Sequence, residues 1–97
     1  MDDSRQIENL IYRYAELIDD GDLEGVAGLF RNAEIVSTAH GVRRQGFDEV
    51  LQMYRSSCRI YESTGTPLTK HLTSNVIVEL DEDGKTANAR SYYTVMQ

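Results

Sequence analysis

A chain of 97 residues is long enough for one hydrophobic core and too short for two. Ten Lys and Arg against sixteen Asp and Glu give a net charge of −6, which repels phosphate backbones and anionic bilayers, so neither nucleic acid nor membrane is an expected partner. Cys58 stands alone, which excludes an internal disulfide and a cysteine metal cluster and fits a reducing, cytoplasmic setting.

The polar, acidic start MDDSRQIEN has no apolar run of the kind a signal peptide needs, and no later stretch is long enough to cross a bilayer. From Ser4 onward, Ile7, Leu10, Ile11, Tyr14, Leu17 and Ile18 recur at the spacing of a one-sided helix. Ser4 is the expected cap and Gly21 the stop. Asp22 then caps a shorter helix carrying Leu23, Val26, Ala27, Leu29 and Phe30. Gly25 and Gly28 weaken that helix intrinsically, so packing must hold it.

Residues 33–38 read as a strand, Gly41 as a turn and Gly46 as the end of a short return. A third helix is expected over 47–61, with Val50, Leu51, Tyr54, Cys58 and Tyr61 on one side. Gly65 and Pro67 make 62–67 a loop. The remainder reads as a hairpin, 69–80 with 85–97, around Asp81-Glu82-Asp83-Gly84. Pairing Leu80 with Lys85 puts Leu72, Val76, Val78 and Leu80 on one face with Ala87, Ala89, Tyr93 and Val95. His71, Thr73, Asn75, Ile77, Asn88, Arg90, Tyr92 and Thr94 fall on the other. Helices followed by a long hairpin make the fold α+β. Leu10, Tyr14, Leu17, Leu29, Phe30, Leu51 and Tyr54 are the expected core.

Glycine-rich phosphate loops, GxSxG and HExxH are all missing, and the only histidines are His40 and His71, so no metal site is expected. His71 lies in a strand-forming run, where an imidazole is either a structural hydrogen-bonding group or a proton carrier. Asp19 and Asp20 close the first helix, where the backbone dipole disfavours a carboxylate. Asp19 is therefore either a solvated helix end or a partner that orients a histidine. Tyr14 is a core tyrosine or, if it meets a cavity, a donor to a substrate oxygen.

The segment 13–30, RYAELIDDGDLEGVAGLF, together with 69–75, TKHLTSN, and 86–93, TANARSYY, resembles the SnoaL-like branch of the nuclear-transport-factor-2-like superfamily over essentially the whole chain. The resemblance implies one domain, 1–97, in which three helices close a pocket against a cone-shaped, curved antiparallel sheet, a cystatin-like α+β barrel. Enzymes of this superfamily include scytalone dehydratase, bile-acid dehydratase, a hexachlorocyclohexane dehydrochlorinase and polyketide cyclases. Their pattern implies His71 as general base, Asp19 as its partner and Tyr14 as a pocket tyrosine, with Tyr54, Thr73 and Tyr92 meeting the substrate. It implies a cofactor-independent dehydratase- or isomerase-like activity, and the tyrosines and aliphatics expected to line the pocket suggest a small, ring-containing, weakly polar molecule. A non-catalytic ligand-binding or dimerisation module is the alternative. Family members continue for two more strands, so the chain resembles a C-terminally short member with its last strands missing, and an exposed terminal strand implies a homodimer. The apolar hairpin face lies opposite His71. Either a bulge near Asn75 or a partner covering one face reconciles the two.

Overall fold

The computed structural model describes residues 2–97 as three helices and two separate two-stranded antiparallel sheets. Helix α1, Asp3–Asp19, begins two residues before the start that a Ser4 cap implies, because Asp2, not Ser4, is its cap: the Asp2 carboxylate accepts from the Ser4 N–H. Its stripe packs inward through Ala15 and Ile18, with Ile7, Ile11, Tyr14 and Leu17 half-buried. Leu10 departs from the expected core: it is 52% exposed, because it lines open grooves between α1 and the rest of the molecule instead of a closed layer.

Gly21 (φ +78°) turns the chain at the end of α1, and its missing side chain matters. A Cβ there would overlap the carbonyl oxygen of Gly65, so the loop before the long hairpin rests directly on this turn. Helix α2, Leu23–Leu29, is capped as expected by Asp22, whose carboxylate accepts from the Gly25 N–H. Strands β1, Glu34–Ser37, and β2, Val42–Gln45, pair antiparallel and lead into helix α3, Gly46–Ser57. Helix α3 ends four residues short of expectation. The Ser56 and Ser57 hydroxyls donate to the Gln52 and Met53 carbonyls, and Cys58 is already extended. Leu23, Ala27, Val50 and Leu51 form the dry centre, joined by Phe30, Ile35, Phe47 and Tyr54.

The hairpin of β3, Lys70–Leu80, and β4, Ala87–Met96, corrects the expected register in two ways. The turn sits one residue later, with Asp81 N–H bonded to the Thr86 carbonyl and the Asp81 carboxylate accepting from the Thr86 hydroxyl. Leu80 therefore pairs with Ala87. The ladder then slips between Ser74 and Ile77, where Asn75 takes a left-handed backbone (φ +54°). That bulge changes which side chains share a face. Above it His71 pairs with Val95 and Thr73 with Tyr93, so His71 joins Val78, Leu80 and Tyr93 facing α1. Tyr92 pairs with Ser74 and lies on the opposite face; both tyrosines are largely exposed, Tyr92 at 69% and Tyr93 at 71%.

The fold is thus α+β, but the described strands form two small sheets and no closed cone. The molecule extends 47 × 26 × 24 Å, and all of β4 is exposed. Among the described residues no helix is long and apolar enough to cross a membrane.

Candidate functional site

Asp19 is the last residue of α1, and its position at the negative end of the helix is offset by three hydrogen bonds. Its Oδ1 accepts from the Thr69 hydroxyl at 2.8 Å and lies 2.7 Å from Nδ1 of His71; its Oδ2 accepts from the His71 backbone N–H at 2.8 Å. The Asp19 and His71 side chains are 16% and 10% exposed. Burial raises the Asp19 carboxyl pKa. The bonds from the His71 backbone, the His71 ring and Thr69 outweigh it, and the group titrates below the usual aspartate value. An ionised carboxylate only accepts, so the hydrogen-bond pattern assigns the proton to Nδ1 and leaves the Nε2 lone pair available on the neutral ring.

The imidazole sits between two aromatic rings. Tyr93 stacks on it at 6.1 Å and 29°, and Tyr14 meets it edge-on at 6.2 Å. Tyr14 in turn shares a 2.8 Å hydroxyl–hydroxyl bond with Tyr54 and meets Phe30 edge-on. Burial pushes both phenols above their ordinary pKa, most strongly Tyr14, which the Tyr54 bond raises further. Both are therefore neutral near pH 7. Two hydroxyls that share one hydrogen bond leave one O–H free to donate elsewhere.

Of the openings around this aromatic group, two meet the catalytic candidates most directly. An apolar cleft of about 520 Å³ is lined by Leu10, Ile11, Tyr14, Phe30, Tyr54 and Tyr93, among others. On the other side, a smaller polar groove of about 330 Å³ is lined by Asp19, His71, Thr73, Lys70, Glu16 and Tyr12, among others. A larger groove on α3, about 600 Å³ beside Asp48, Gln52 and Arg55, is remote from both and holds no acid–base pair. Among the described residues no three His, Cys, Asp or Glu side chains come together as a metal-ligating group.

The structure brings Asp19, His71, Tyr14 and Tyr54 into one contiguous cluster and places Thr73 in the polar groove beside His71. Tyr92 is not part of it: the bulge puts that side chain on the opposite face of the sheet, and Tyr93, though 71% exposed, is the tyrosine that stacks on His71. Sequence reasoning missed Tyr93 and Thr69. Tyr93 was hidden by the register slip. Thr69 carried a visible signal, a hydroxyl two residues before His71 at the entry to the same strand.

Residues 1–97 match the family model of the SnoaL-like domain. No curated protein matches the chain significantly.

Proposed function

The chain belongs to the SnoaL-like domain family, and from that premise we propose that it is a cofactor-independent lyase or isomerase acting on a small, ring-containing, weakly polar molecule. His71 Nε2 takes a proton from a carbon beside an activating group. Asp19 holds the ring in the required tautomer and stabilises the imidazolium that results. The Tyr14–Tyr54 pair donates its free O–H to the carbonyl or departing oxygen. In an elimination, the C–H electron pair becomes the new double bond as the C–O bond breaks. The proton on Nε2 then passes to the departing oxygen, which leaves as water. In an isomerisation the same proton returns to a different carbon.

One observation carries this reading: a partly buried carboxylate 2.7 Å from Nδ1 of an imidazole that is itself packed against a neutral, cleft-lining tyrosine. Tyr93 replaces Tyr92 among the proposed substrate contacts, beside Tyr54 and Thr73. The test is a panel of cyclic hydroxyketones and enones in deuterated water, with proton exchange and water loss followed by NMR. Exchange above background that is lost in His71→Gln supports the reading; no exchange for any bound compound rejects it.

A second reading, a small-ligand-binding module without chemistry, is favoured by one feature. The cleft is lined by Tyr14 and Tyr93, not by His71 itself, so a molecule seated there meets the tyrosines before the imidazole. Either way, the protein is proposed to be a homodimer. Leu72, Ile77, Tyr92 and Met96 stand exposed on the outer face of β3 and β4, and each strand of that hairpin has one free edge. A monomer mass at micromolar concentration counts against the dimer.

A further inference from the structure

The contacts that hold Asp19 come almost entirely from the residue it is supposed to orient. Two of its three hydrogen bonds are made by His71, one from the backbone and one from the ring. A carboxylate tied only to its client would move with it. The third bond, from the Thr69 hydroxyl to Oδ1, comes from outside the pair. We infer that Thr69 is a positioning residue that fixes the Asp19 carboxylate and, through it, the His71 ring. The functional part of this inference rests on the reading of His71 as a base.

The local backbone supports a constrained role. Thr69 follows Leu68, a half-exposed leucine held in the left-handed region at φ +58°, a conformation disfavoured for a residue with a side chain. Before Leu68, Pro67 is buried, and the loop behind it packs on Gly21 at the end of α1. The loop is thus anchored to the helix end that carries Asp19, and Leu68 turns the chain so that Thr69 and the His71 N–H both aim at that carboxylate. Both oxygens are occupied, Oδ1 twice. Thr69 also lowers the Asp19 pKa, after burial and the two bonds from His71. The ionisable groups around Asp19 in the polar groove are Tyr12 and Glu16 of α1, the C-cap Asp20, and Lys70 and His71 of β3.

Thr69→Val keeps the shape and removes only the hydroxyl; Thr69→Ser keeps the hydroxyl. In the resting full-length protein, NMR reads the Asp19 carboxyl carbon against pH and the His71 Nδ1 proton. The expected result is an upward shift of the Asp19 titration and a broadened, rapidly exchanging Nδ1 proton in Thr69→Val, with both near wild type in Thr69→Ser. If Thr69→Val fails to fold, Thr69→Ala replaces it in the same comparison. Unchanged titration and an unchanged Nδ1 proton in the folded hydroxyl-less variant overturn the inference, as does Thr69→Ser behaving like Thr69→Val. Neither readout requires turnover. A protein that passes this test yet exchanges no substrate proton keeps the positioning role and loses the catalytic reading.

Discussion

The Asp19 carboxylate and the His71 imidazole meet at 2.7 Å across 52 positions of sequence, at the one helix end where the backbone dipole opposes a negative charge. The three donors around Asp19 offset both that field and partial burial. Its depressed pKa makes the contact a source of stability with a definite pH dependence.

Asp19 binds its proton less tightly folded than unfolded. Its contribution is therefore present above the unfolded value of about 3.9 and is lost as pH falls through the lower, folded value. Asp19→Asn should lower the unfolding free energy at pH 7 by about 2 kcal/mol, the scale of hydrogen bonds to a charged group. The gap between wild type and variant should narrow as pH drops through that window. Urea unfolding at pH 7 and at successively lower pH checks it; a gap that widens on acidification contradicts the assignment.

The core makes a contrast within the apolar residues. Leu51 is 8% exposed at the centre of the α2–α3 packing, and Leu51→Ala should cost about 2–5 kcal/mol. Leu10→Ala should cost less than about 1 kcal/mol, because half of that side chain already faces solvent. Denaturant midpoints of the two variants give the answer, and equal losses would show that Leu10 is covered in solution.

Gly21→Ala joins two penalties, a left-handed backbone worth about 1–2 kcal/mol and a collision with the Gly65 carbonyl. Because the same turn anchors the loop leading to Thr69 and His71, the variant should lose stability and also perturb the His71 resonances. Gly28→Ala, with open space around its Cβ and inside a helix, should be neutral or stabilising. Melting temperatures and two-dimensional NMR spectra separate the two outcomes.

What the sequence disclosed follows from which physics is local. Helical spacing found α1, and a capping side chain found α2 at Asp22. The dipole mismatch drew attention to Asp19 and Asp20 together, and the resemblance to the SnoaL-like branch chose Asp19 between them. The face of His71 was not legible, because it depends on a single bulge. Alternation is a period-two signal, and one extra residue at Asn75 reverses it for everything beyond. Asn is among the few residues that tolerate the left-handed backbone there, so a bulge near it was one of two arrangements left open. Tyr92 and Tyr93 exchanged roles for the same reason. The end of α3 lies at Ser57, where Cys58 turns extended, a boundary that hydrophobic spacing does not report.

Asn75→Val tests the bulge. A β-branched residue in the left-handed region should cost about 1–2 kcal/mol or more, whereas Asn75→Gly should be tolerated. In Asn75→Val the contact between the His71 and Tyr93 rings should weaken, read from the ring-current shifts of His71. Intact stacking together with wild-type stability would remove the bulge as the device that aims His71 at α1.

The most direct test of the central claim is the rate of carbon-bound hydrogen exchange for a cyclic ketone that binds the apolar cleft, compared between wild type and His71→Gln. The account predicts exchange well above background in the wild type. In His71→Gln it should fall by about 10²–10⁴-fold, the usual contribution of a general base, while the compound still binds and the protein stays folded. Equal exchange in both proteins, or binding with no exchange in either, would contradict His71 as the base and leave a ligand-binding module.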